Sequence, residues 1–170
     1  MRCANLLIID SQSMVREALR ALLRDRIDIR IIGEACDYGG AMRATFEQTV
    51  DVALLFSTSS GSQRLDMIRG LKSIQPTVKI VVLTANYDLP EVAKAMAAGA
   101  NGFLVPDCGF EEMMTAIKEV LAGKRYVTPT IANYLATPVI EEESCLPPDR
   151  ASAATAWTSK EFTDASGKRT

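Results

Sequence analysis

The sequence contains no histidine. That removes His-based general acid–base catalysis, Ser–His and Cys–His nucleophiles, and most catalytic zinc sites. Cysteine is sparse: Cys3, Cys36, Cys108 and Cys145 lie far apart and form no C-x-x-C pair. They read as reduced, mostly buried or incidental thiols. Aromatics make up 6% of the chain, with a single tryptophan. A net charge of −2 over 170 residues gives no whole-chain footprint for nucleic acid or an anionic membrane. No apolar run approaches the roughly 18 residues of a membrane span. The opening MRCANLLIID meets Asp10 too early to hold a signal-peptide apolar region, so a cytoplasmic location is expected.

What is present is alternation. Strands are expected over 5–10, 29–35, 52–56, 79–84 and 102–105, each short, apolar and rich in branched side chains. Between them lie helical patterns from about Ser13, over 39–48, over 64–73, from Pro90 to Gly99, and over 111–122. Pro90 inside the start and Gly99 past the end follow the usual asymmetry of helix termini. Thr128-Pro129 opens one more short helix through Leu135. Five βα units with unalternated strands imply a parallel, doubly wound α/β sheet of flavodoxin-like type, strand order 2-1-3-4-5. Its ligand cleft belongs at the carboxyl ends of strands one and three. Asp10, Ser11, Phe56, Ser57, Thr84 and Pro106 are therefore expected around one crevice.

Residues 1–135 balance 15 basic against 15 acidic side chains, so the net charge comes from the remainder. Residues 136–170 carry prolines, the acidic run Glu141 to Glu143 and small polar residues, and read as linker or disordered tail. Within it, WTSKEF (157–162) has the Thr-x-x-Glu spacing of a capping box.

The segments LLIIDSQSMVREALRALL, DVALLFSTSSGSQRLDMIRGL, KIVVLTANYD, AAGANGFLVPD and AGKRYVTPTIANYL resemble a response-regulator receiver domain. They look most like the branch that precedes a LuxR-type helix-turn-helix, and WTSKEF resembles the opening of that DNA-binding domain. The resemblance implies a phosphoryl group carried by an aspartate ending strand three. It also implies two acidic residues that help hold Mg²⁺, a hydroxyl ending strand four, and a lysine after strand five. Nucleophile, hard-cation ligands and counter-charge are what such chemistry needs. At those positions this sequence has Phe56 for the phosphoacceptor, Asp10 and Ser11 for the acidic pair, Thr84 for the hydroxyl and Pro106 for the lysine. Phe103 occupies the aromatic position that moves in such switches.

Nucleophile, second acid and lysine are therefore missing. Asp10 alone is a poor Mg²⁺ site, and the hydroxyls of Ser57, Thr58 and Ser59 have no histidine or lysine to activate them. No catalytic residue, metal or cofactor is expected. Phe56 fills the emptied pocket, either as simple decay or as a lock on one arrangement of the switch face. Function then lies on surfaces. The helix over 90–99 is apolar nearly all round, and adjacent Met113 and Met114 leave Met114 partly outward. Val92, Met96, Phe103 and Met114 form the candidate contact surface.

Two readings follow. One is a phosphorylation-independent receiver that homodimerises or contacts another signalling or transcription regulator. The other is a stand-alone adaptor or antagonist docking on a kinase or regulator. Specific DNA binding by the chain as given is not expected, since nine residues after Glu161 cannot build a helix-turn-helix.

Overall fold

The computed structural model describes residues 3–56, 61–85 and 88–136, with the backbone alone for 134–136. All of them fall in one compact unit. Ser57, Thr58 and Ser59, the acidic run and WTSKEF lie outside the described residues.

The order of elements is β1 (Ala4–Ile9), α1 (Ser13–Leu23), β2 (Ile29–Ala35), α2 (Tyr38–Glu47), β3 (Val52–Phe56) and α3 (Gly61–Ile74). Then come β4 (Lys79–Leu83), α4 (Leu89–Ala98), β5 (Gly102–Leu104), α5 (Phe110–Leu121), β6 (Tyr126–Val127) and α6 (Pro129–Ala136). The strands form one parallel sheet ordered β2-β1-β3-β4-β5-β6. The flavodoxin-like order is as read from the sequence, but the sheet has six strands rather than five. β6 joins through Gly102 opposite Tyr126 and Phe103 opposite Val127. The Tyr126 amide donates to the Asn101 carbonyl and the Thr128 amide to the Phe103 carbonyl, both at 3.0 Å. Two residues carry no periodicity, so this strand leaves no pattern in the sequence.

Successive strand side chains point to opposite faces, and the core divides accordingly. Leu6, Ile8, Val52, Leu54, Val81 and Leu104 face α1 and α5, where Leu19, Leu23, Met113, Ile117 and Val120 cover them. Leu7, Ile9, Ala53, Leu55, Ile80, Val82 and Phe103 face the other way, under Ala41, Ile68, Leu71, Val92, Ala95 and Ile131. One edge strand, β2, is irregular: Leu6 pairs with Ile31 but Leu7 with Gly33, leaving Ile32 as an extra residue.

Three positions expected on a contact surface are inside. Val92, Phe103 and Met114 are 1%, 0% and 2% exposed, whereas Met96 is half-buried. On α4 the outward side belongs to Ala93, Lys94 and Ala97. On α5 the stripe is wide enough for Met113 and Met114 to straddle it, together with Ala116, Ile117 and Val120. Among the described residues the large apolar side chains that do reach solvent are Met14, Leu22, Ile27, Tyr38 and Phe46. The three thiols described are free, as expected, but less buried than expected, with Cys3 and Cys36 exposed and Cys108 half-buried.

The ends of α4 are fixed by local chemistry. Asp88 accepts a hydrogen bond from the Glu91 amide at 2.6 Å, and Pro90 sits in the first turn. Gly99, at φ 119°, closes the helix in the left-handed region, its amide reaching the Ala95 and Met96 carbonyls. No helix among the described residues is long and apolar enough to cross a membrane.

Candidate functional site

The carboxyl ends of β1, β3, β4 and β5 carry the expected residues to one end of the sheet. Ile9 ends β1, and Asp10 follows at 5% exposure. Its amide donates to the Ala35 carbonyl at 3.0 Å, and its Oδ1 accepts from the Gln12 amide at 2.9 Å. The Asp10 carbonyl accepts from Arg16 Nη1 at 2.7 Å. Phe56 ends β3 opposite Leu83 of β4 and packs half-buried against the α1/α5 side of the core. Thr84 follows β4 at 2% exposure. Pro106 and Ser11 are exposed.

The residues lie around two adjoining cavities at this end of the sheet. Asp10 and Phe56 border two cavities, and the other positions are divided between them. One, of about 890 Å³, runs between α2 and α3 and includes Ser11, Asp37, Tyr38, Arg64 and Met67. The other, of about 420 Å³, lies toward α1 and α5 and includes Thr84, Pro106, Cys108 and Phe110. The two cavities adjoin at Asp10 and Phe56, and Arg64 of the first donates to Thr84 of the second at 3.3 Å.

The polar groups around these cavities are already committed. Asp37 caps α2, and the hydrogen bond from the Gly40 amide at 2.7 Å holds its carboxyl below the usual range. Burial pushes the Cys108 thiol up, with Glu112 and Asp107 adding to the effect, so it is a weak nucleophile at neutral pH. Among the described residues no cluster of three or more His, Cys, Asp or Glu side chains could hold a metal ion. A single carboxylate, Asp10, competes poorly with water for Mg²⁺.

One residue escaped the sequence reading. Arg64 is 2% exposed, and its Nη2 donates to Thr84 Oγ1 at 3.3 Å. Its Nη1 lies 3.3 Å from Glu91 Oε2, forming an ion pair with the first turn of α4. The sequence does carry a signal for it. Arg64, Ile68 and Leu71 are the buried residues of α3, at i, i+4 and i+7, so the arginine falls on the apolar stripe. Expecting the helix to begin at Arg64 made it look like a terminal residue. The helix in fact begins at Gly61.

Comparison with known proteins places this geometry. Residues 6–118 match the response regulator receiver domain family. The chain is 34% identical over 139 residues to the response regulator UvrY of Escherichia coli K12, covering 82% of this chain and 64% of UvrY. It is also 34% identical over 130 residues to the response regulator GacA of Pseudomonas aeruginosa, covering 76% of this chain and 61% of GacA. The chain therefore spans somewhat under two thirds of the length of these curated relatives. A crystal structure of a LuxR-family two-component response regulator from Aurantimonas sp. SI85-9A1 superposes with a TM-score of 0.73 at 29% identity. That match covers 79% of this chain and 96% of the other. The sheet order and these likenesses agree: this chain belongs to the response regulator receiver domain family of two-component signalling.

Proposed function

We propose that this receiver works without phosphorylation, through protein–protein contact in signal transduction and transcription control. The observation that carries the reading is Phe56. It stands where the family resemblance puts the phosphoacceptor, and it is packed against the apolar cluster between the sheet and α1 and α5. Around it, Ser11 offers no second carboxylate and Pro106 no cation, while Asp10, Thr84 and Phe103 keep the family's residue types. A phenyl ring here favours burial, whereas a cluster of carboxylates would add repulsion. The signal must then come from a partner surface. A second copy of the chain and another signalling or transcription regulator are the partners of this reading, acting in the cytoplasm. In this reading residues 1–135 are the receiver and 136–170 a linker or tail.

The test is exposure of the full chain to acetyl phosphate with Mg²⁺, read by intact mass. No phosphoryl adduct is expected on the wild type. None is expected on Phe56→Asp either, because Ser11 and Pro106 remain. A stable acyl phosphate on the wild type would overturn the reading, and one on Phe56→Asp would show that Phe56 alone silences the site.

A further inference from the structure

A guanidinium at 2% exposure is a costly thing to bury, and it persists only where its partners are fixed. Two of the partners of Arg64 lie on other parts of the fold, while its buried Nε has no hydrogen-bond partner among the described residues. One Nη reaches the hydroxyl of Thr84 beyond β4, and the other reaches the carboxylate of Glu91 in the first turn of α4. A single side chain from α3 thus ties together the end of β4 and the start of α4.

Two independent features show that Glu91 is built to be held there. The first is Gly61, one turn before Arg64. A Cβ on Gly61 would lie 2.4 Å from Glu91 Oε1, so the carboxylate sits close against the start of α3 and would have to shift to admit a side chain there. The second is the cap of α4. Asp88 accepts from the Glu91 amide, which has the spacing of a capping box. In such a box the glutamate would turn back to the amide of the capping residue. Here its carboxylate engages Arg64 instead.

We propose that Arg64 is a positioning residue that sets the start of α4 and the inward hydroxyl of Thr84, making a fixed internal cation do what a transient phosphoryl group would otherwise do. This rests on the reading that no phosphoryl group enters the site. The arrangement of α4, and of whatever surface it presents, is then set by the Arg64–Glu91 pair and by the Thr84 contact. Phe103, fully buried behind them, stays inward. A receiver with this clamp holds one state of the switch permanently, and releasing it requires breaking the pair rather than removing a phosphate.

The experiment is amide hydrogen exchange on the full chain, comparing wild type with Arg64→Gln, Arg64→Lys, Glu91→Gln and Gly61→Ala. Amides of α4 from Val92 to Met96 are read against core-strand amides such as Leu54 and Val81. The proposal expects the α4 amides to exchange about tenfold faster in Arg64→Gln, Glu91→Gln and Gly61→Ala, with little change in the strands. Arg64→Lys should recover part of the protection. The double variant Arg64→Gln/Glu91→Gln should be no worse than either single one, as for two residues acting as a unit. Acceleration spread equally over α4 and the strands, or additive effects, would overturn the clamp and leave an ordinary ion pair. Glu91 is at the surface, so Glu91→Gln keeps the test decisive if Arg64→Gln does not fold. Parallel acetyl phosphate treatment separates the two ideas. A phosphoryl adduct on the wild type defeats the silent-pocket reading, whereas uniform exchange defeats the clamp alone.

Discussion

Phe56 shows how one residue decides what a site can be. Its ring is half-buried against the α1/α5 side of the core and forms part of the wall of both cavities at the sheet's carboxyl end. Removing it enlarges the space at this end of the sheet and strips contacts from the apolar cluster against which the ring packs. Phe56→Ala should lower stability by about 1–3 kcal/mol, less than the full cost for a wholly buried phenylalanine because the ring is partly exposed. A urea midpoint measured on both proteins tests this, and an unchanged midpoint would mean that the ring packs against nothing that matters. The residues at the ends of the strands were legible because each strand is a short apolar run with a polar stop. Arg64 was not, because a single arginine near a Gly-Ser-Gln stretch reads as helix entry. Only its position on the stripe of Ile68 and Leu71, once the helix is seen to start at Gly61, marks it as interior.

Elements were legible in proportion to their length and periodicity. β1 to β5 and α1 to α6 appear within a few residues of where their apolar patterns put them, and β6 does not, having only two residues. Face assignments were harder than element assignments. Val92 and Met114 lie on helices rich in apolar residues, where sequence alone does not say which side meets the sheet. Phe103 lies on a strand buried from both faces. The short α2 depends on its cap more than on its packing, since Ala41 and Thr45 are its buried residues. The Asp37 carboxylate is held below its ordinary value of 3.8 by the Gly40 amide. A lowered folded value means that the cap's stabilisation is fully present above the ordinary carboxylate range and is lost as pH falls through the lowered value. The Gly40 amide resonance should therefore titrate with a midpoint below 3.8. Asp37→Asn, which keeps a capping oxygen, should flatten that titration. A midpoint at or above the ordinary value would remove Asp37 from this role.

At the scale of the whole molecule, a receiver whose switch is already set should have an assembly state indifferent to phosphodonors. Sedimentation velocity of the full chain should give the same distribution of species with and without acetyl phosphate and Mg²⁺. A shift toward larger species on treatment would mean that the site still hears the signal it has been read as ignoring. The fold was legible at this scale because a parallel doubly wound sheet follows from alternation alone. The interior arginine at the cleft was not, because its burial depends on where α3 begins.

The two borders of the sheet also bear on how such a molecule meets others. At one border β2 skips a residue at Ile32, and at the other β6 is two residues long. An intruding strand from a neighbour needs a straight row of free amides and carbonyls, and neither border offers a long one. Crowded copies of this domain are thereby steered away from zipping together backbone to backbone. Any encounter that lasts is then chosen by side chains on the helices rather than by strand edges.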